Sequence, residues 1–229
     1  MVSMLRRKIR GRALGFLILA GTSTLAGCAP AVEHDLVIRG GTVYDGSGAA
    51  PVVADVALDG DRVTAIGRLD RAVGRREIDA SGLAVAPGFI NMMCWANESL
   101  IEDGRSQSDI RQGVTLEVMG EGNSMGPLNE AMREEMLQRQ SDIRYDGEWT
   151  TLDEYLRYLE DRGVSPTVAS FIGAATPRKH VIGWEDRAPS PEELEEMRAL
   201  VGAAMEDGAL GVASALIDPP GSFARGVRP

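Results

Sequence analysis

Basic residues are in short supply in this chain. Lys and Arg total 24 against 34 Asp and Glu over 229 residues, a formal net charge of −10. Nucleic acid demands a basic patch, so this balance argues against such a partner. Aromatic residues make up only 5%, which leaves the core to be built mainly from Val, Ile, Leu, Ala and Met. Cysteine occurs twice, at Cys28 and Cys94, and histidine twice, at His34 and His180. Ala13 to Ala20 (ALGFLILA) is apolar but too short to span a bilayer as a stable helix. No pattern of helical length precedes about residue 105. What the chain has instead is glycine, 27 residues of it, favouring a turn-rich fold with many strand–helix junctions. Its 44% hydrophobic and 25% charged content is ordinary for a soluble globular protein.

The first 27 residues stand apart from that fold. Arg6, Arg7, Lys8, Arg10 and Arg12 form a basic stretch, the short apolar run follows, and Leu25-Ala26-Gly27-Cys28 closes it. This order resembles a bacterial lipoprotein signal peptide, residues 1–27, with cleavage before Cys28 and acylation of that cysteine. Ala29 in place of Asp favours the outer membrane, so the resemblance implies a lipid-anchored protein of the periplasm or cell surface. Five of the 24 basic residues leave with the leader and no acidic ones, so 19 then face 34, a net of −15. Anionic lipid would repel such a surface, and the acyl chains would do the anchoring. With Cys28 acylated, Cys94 is the one free thiol and no intrachain disulfide can form.

Residues 28–34 (CAPAVEH) are expected to be a tether. From Asp35 the pattern is β: Leu36, Ile38 and Val43 alternate before a Gly-rich turn, and ADVALDGDRVTAIG folds back at Asp59-Gly60-Asp61. Residues 35–86 are therefore expected to form a small antiparallel sheet unit. From Pro87 strands alternate with helices. FINMMCWA, GVTLEVMGEG, SPTVASFIGAA and GALGVASALI are four apolar strands. Thr151-Leu-Asp-Glu154 and Ser190-Pro-Glu-Glu193 are capping boxes, the first ending at Gly163 and the second at Gly208. A third helix covers about 128–141. Strands alternating with helices imply a parallel sheet. A closed β/α barrel needs eight strands and about 250 residues. The 87–229 region shows about four β/α units, so the expectation is an open α/β sheet or about half a barrel.

DLVIRGGTVYDGSG, the DGDRVTAIG hairpin and IDASGLAVAPGFI leading into a β/α series together resemble the amidohydrolase superfamily, and within it the N-acyl-D-amino-acid deacylases (D-aminoacylases). Gln112-Gly-Val-Thr115, Arg187-Ala-Pro189, Gly208-Ala-Leu-Gly211 and Pro219-Pro-Gly-Ser222-Phe223 support the likeness, which runs from about Asp35 to Ala224. The resemblance implies that 35–86 is a small antiparallel β-sandwich segment and that 87–229 is a partial TIM barrel, the N-terminal half. It implies hydrolysis of non-peptide C–N bonds in small N-acyl amino acids, and zinc, whose bound water attacks the carbonyl. The family's His-x-His pair falls on Met93 and Trp95, and its first-strand aspartate on Asn91. One zinc ion is therefore expected rather than two, with Trp95 and Met93 closing a packed strand mouth. The chain reads as truncated about halfway through the barrel, and so inactive alone and prone to self-association through an uncovered strand edge. The alternative is a non-catalytic, membrane-anchored binding lipoprotein with a degenerate barrel.

Catalytic residues are not identifiable on this basis. Glu121 is the favoured metal or substrate contact, because it follows a barrel strand between glycines that let the backbone approach a ligand. Cys94 is a weaker metal candidate, since a thiol in an apolar strand more often packs as a small hydrophobe. Arg178, in the segment expected to be the loop after the third strand, is a candidate for gripping a substrate carboxylate. His180 in that loop and Glu98 at the mouth rank lower. Glu117 is expected to face outward or pair inside the sheet, and His34 lies in the tether. The leader reading has a direct check: Cys28→Ser is expected to abolish incorporation of labelled palmitate and to release the protein from the membrane fraction.

Overall fold

The computed structural model describes residues 30–214. The leader, Cys28 and the Pro219–Phe223 segment lie outside the described residues. The chain divides after Val85 into two units.

The first unit is one mixed sheet. Its strands are β1 (Val32–Val43), β2 (Val52–Asp59), β3 (Arg62–Gly67), β4 (Ala72–Asp79) and β5 (Ala84–Val85). β2 and β3 form the expected hairpin around Gly60, whose φ of 58° suits glycine. Strand order is β3-β2-β1-β4, with β5 on the far end of β1. β4 and β5 both run parallel to β1, which corrects the expected antiparallel sandwich segment to a single mixed sheet. The cause is the Arg68–Arg71 link, which crosses over instead of turning back. Arg39 holds that crossing: its guanidinium donates to Leu69 O (3.2 Å), Ala72 O (2.6 Å) and the Glu77 carboxylate (2.6 Å). Asp55 accepts from the amides of Gly40 (2.9 Å) and Leu69 (3.3 Å). Hydrophobic alternation looks alike in parallel and antiparallel edges, so this pairing is invisible to periodicity.

β1 also starts earlier than expected. Val32, Glu33 and His34, assigned to the tether, pair with Ala72, Val73 and Gly74. Two small apolar clusters stiffen the sheet, one on Val37, Ala57 and Ala72 and one on Val43, Ala54 and Val56.

The second unit alternates strands and helices. In order these are β6 (Phe89–Asn91), α1 (Ser99–Glu102), α2 (Gln107–Ile110), β7 (Val114–Met119), α3 (Glu130–Gln138), α4 (Leu152–Arg162), β8 (Thr167–Ser170), β9 (Ile172–Gly173), α5 (Ala175–Ile182), α6 (Pro191–Glu206) and β10 (Val212–Ala213). β6, β7 and β8 form one parallel sheet, and β9 pairs with β10 in parallel. Both capping boxes are present, at Thr151 for α4 and Ser190 for α6. Asn129 caps α3 by accepting from the Met132 amide. Two short helices, α1 and α2, fill the stretch between β6 and β7.

Scarce as they are, aromatics centre this core. Trp149 is 1% exposed. Its ring lies 5.6 Å from Tyr145, 5.2 Å from Tyr155 and 4.9 Å from Tyr158. Leu100, Ile101, Met119, Leu152, Leu159 and Ile172 pack into the same cluster. The expectation of a mainly aliphatic core is thus amended by one aromatic group, whose burial of large area makes it dominant.

Asp55 gives the first unit a pH dependence. The Gly40 amide, then the Leu69 amide and Arg39, hold its carboxyl below the usual carboxylate range against the opposing effect of burial. A lowered folded pKa stabilises above the unfolded value near about 4, and the stabilisation is lost as pH falls through the folded value. The melting midpoint of this unit is expected to drop below about pH 4, and less steeply in Asp55→Asn. Arg39→Ala is expected to cost about 1 kcal/mol by urea titration, discounted from the range for charged hydrogen bonds because Glu77 is 42% exposed.

Candidate functional site

Parallel strands place all their carboxyl ends on one side of a sheet, and that side is where β/α proteins hold ligands. Three exits meet these conditions here: residues 92–98 after β6, 120–124 after β7 and 174–176 after β9.

The β7 exit is the most rigidly placed. Gly120 has φ 92°, and a Cβ on it would lie 2.0 Å from Phe171 O. Gly122 has φ 68°. A Cβ on Gly173 would come within 2.4 Å of the Gly122 carbonyl carbon and the Asn123 nitrogen. The two backbones therefore touch, and hydrogen bonds lock them together. The Ala175 amide donates to Gly122 O (2.9 Å), the Ser124 amide to Thr176 Oγ1 (2.8 Å) and the Gly173 amide to Ser124 Oγ (3.3 Å). Ser124 Oγ donates on to Gly126 O (2.6 Å).

Glu121 sits in this clamped loop, half-buried, between the two positive-φ glycines. Its carbonyl accepts from the Asn123 amide at 2.7 Å. No hydrogen bond or ion pair among the described residues engages its carboxylate. Its placement at a strand exit matches the sequence expectation.

Cys94 is buried, at 8% exposure. Its Sγ donates to Glu117 Oε2 at 3.1 Å, and its backbone amide donates to Val118 O at 2.9 Å. Burial first, and then the bond to Glu117, push the thiol up to about 11. It is thus a protonated donor at neutral pH, a poor state for a nucleophile. Glu117 is fully buried and accepts a second hydrogen bond, from Ser106 Oγ at 2.5 Å.

Met93 and Trp95 are 59% and 65% exposed. That corrects the expected packed strand mouth: among the described residues, nothing covers them. Arg178 lies within α5, not in a loop, and its Nη2 donates to the carbonyls of Glu185 (2.9 Å) and Arg187 (2.8 Å). The structure uses it to fasten the turn after α5. His180 is in the same helix, and its carbonyl accepts from Asn129 Nδ2 at 2.8 Å. Glu98 accepts from the Tyr145 hydroxyl at 2.6 Å. Burial and that carboxylate raise the Tyr145 phenol above its ordinary range. His34 belongs to the first unit, with Nδ1 2.9 Å from Asp59 Oδ2.

Structural zinc sites take four ligands from Cys, His and carboxylates, and catalytic ones three plus water. Among the described residues no three such side chains are grouped to hold an ion. The β6 exit offers Met93 and Trp95, Cys94 is hydrogen-bonded to Glu117, and Glu121 stands without a second ligating side chain grouped with it. The described residues do not fit a zinc site by themselves.

Sequence reasoning missed Ser106, Ser124 and Thr176. Ser106 and Ser124 lie in loops and Thr176 in the first turn of the uncapped α5, where a lone hydroxyl carries no periodic signal, so nothing marked them. One signal was present: Glu117 is the lone charge in the apolar run GVTLEVM.

No family profile matches the chain. A D-aminoacylase from Alcaligenes xylosoxydans xylosoxydans is 34% identical over 194 residues, which are 83% of this chain and 39% of that protein. The crystal structure of a D-aminoacylase, defining a subset of amidohydrolases, matches with a TM-score of 0.70 at 32% identity, over 82% of this chain and 40% of the other. N-acyl-D-glutamate deacylase from Bordetella bronchiseptica, solved with zinc and a phosphonate mimic of the tetrahedral intermediate, matches with a TM-score of 0.70 at 29% identity, over 85% and 41%. The chain thus spans about two fifths of the length of these relatives.

The clamped exit is open to test. Gly173→Ala is expected to cost about 2 kcal/mol, within the range for overpacking, because the methyl meets backbone and not a movable side chain. Hydrogen exchange over residues 120–124 should rise, and unchanged exchange there would refute the clamp.

Proposed function

We propose that this homologue of D-aminoacylase carries the opening β/α units of an amidohydrolase barrel, preceded by its small sheet unit. The reaction it serves is hydrolysis of the amide bond in N-acyl-D-amino acids or close relatives. The supporting observation is the match to D-aminoacylase, which spans the larger part of the chain at 34% identity. The strand exits agree with that reading, since they set one unengaged carboxylate, Glu121, on the face where barrel chemistry sits.

Zinc is the cofactor this reading implies, and one ion is favoured over two because Met93 and Trp95 contribute no ligand. Glu121 is the described residue that would contact it. The described residues do not complete the ligand set, so no chemical step is assigned to the ion. Anchoring through acylated Cys28 at the periplasmic or cell-surface side of the membrane, and self-association through an uncovered strand edge, belong to the same proposal.

Two measurements test it. Thermal shift of the full chain with N-acetyl-D-glutamate and its L enantiomer is expected to show stabilisation by the D form, weakened in Glu121→Gln. Equal responses to both enantiomers would count against the deacylase reading and leave the alternative of a non-catalytic binding lipoprotein. Acetate release from the same substrate is expected to stay at background with or without added zinc. Turnover would show that the chain's own residues complete a working site.

A further inference from the structure

Glu117 stands out among the buried groups. It occupies the middle of β7, at 0% exposure, beside buried Val118 and Met119. Cys94 and Ser106 are its hydrogen-bond partners, one on each carboxyl oxygen, and no Lys, Arg or His among the described residues pairs with it. A carboxylate in such surroundings is costly unless each oxygen is satisfied. A leucine would fill the space without that cost, so stability alone does not account for an acid here.

Its two donors flank one segment. Cys94 lies just after β6, and Ser106 lies between α1 and α2. The chain from 94 to 106 leaves β7 and returns to the same carboxylate. Ser106 is the one non-glycine residue with positive φ among those described, at φ 43° and ψ 49°. Glycine adopts that conformation without steric penalty. A serine there contributes something glycine lacks, and its hydroxyl makes the 2.5 Å bond to Glu117. A second tie runs alongside: Asn91, opposite Glu117 in the strand register, donates from Nδ2 to Asp109 Oδ1 at 3.3 Å.

We propose that Glu117 is a positioning residue, drawing Cys94 and Ser106 onto β7 and thereby setting the course of the β6 exit, residues 92–98. Met93 and Trp95 are presented at the strand mouth by this tie between protein groups, with no metal ion taking part. The proposal concerns the conformation of the exit and stands or falls separately from the deacylase reading.

Hydrogen exchange on the full-length chain tests it through peptides covering 92–98. Ser106→Gly keeps the turn and deletes the hydroxyl, and is expected to speed exchange there about tenfold, as for one lost hydrogen bond to a charged group. Glu117→Leu fills the site but accepts nothing, and is expected to do at least as much. Glu117→Gln retains one acceptor and donates to Ser106 Oγ, so it should return exchange close to the parent rate. Peptides from α4, residues 152–162, should be unchanged throughout. If Glu117→Leu does not fold, Ser106→Gly decides alone. Parental exchange in Ser106→Gly, or in a folded Glu117→Leu, would overturn the proposal, because a space-filling role would be preserved. Slowing of 92–98 exchange by added zinc, or acceleration by a chelator, would overturn it as well, since a metal would then be part of the tie.

Discussion

The contact between two stretches of backbone governs the candidate site. Gly120 lies against Phe171 O, and Gly173 lies against Gly122 and Asn123, at separations no Cβ tolerates. Ser124 and Thr176 then satisfy the amides and hydroxyls that this contact buries, as buried polar groups require. Glu121 is held in the loop so fixed. Its carboxylate is presented by a rigid frame, where a free loop would have had to order it on binding.

The β6 exit is built on a different principle. There no glycine pair brings backbones together, and side chains make the connection. Cys94, Ser106 and Asn91 reach Glu117 and Asp109, acceptors on β7 and α2. The thiol is raised because burial and a carboxylate both disfavour its anion. Cys94 thus serves as a structural donor to Glu117. The exposed pair beside it, Met93 and Trp95, offers sulfur and an indole where a metal centre would want imidazole. The likeness to zinc-holding deacylases is carried by fold and sequence identity, while the described exits contribute one carboxylate.

Some of this was legible without coordinates. The helices at Thr151 and Ser190 were readable because a capping box is a contact within four residues, written wholly in local sequence. The four apolar runs after Pro87 were readable as strands, although SPTVASFIGAA holds two, β8 and β9, which pair in different sheets, and Glu121 could be placed at a strand end from its flanking glycines. Arg178 was misplaced because the helix Ala175–Ile182 starts without a side-chain cap, so no local signal announced it. The parallel course of β4 beside β1 depends on Arg39 and Asp55 reaching across 14 to 38 residues of chain.

The sequence by itself determined the two capped helices, the apolar runs that hold the later strands, and the acidic charge balance. Each follows from composition or from contacts a few residues apart. Only the tertiary structure decided that Met93 and Trp95 stand exposed, that the Cys94 thiol donates a hydrogen bond to Glu117, and that Glu121 rides on a loop clamped by the next strand. Those outcomes depend on residues far apart in sequence meeting at hydrogen-bond distance, and neither periodicity nor local propensity encodes such a meeting.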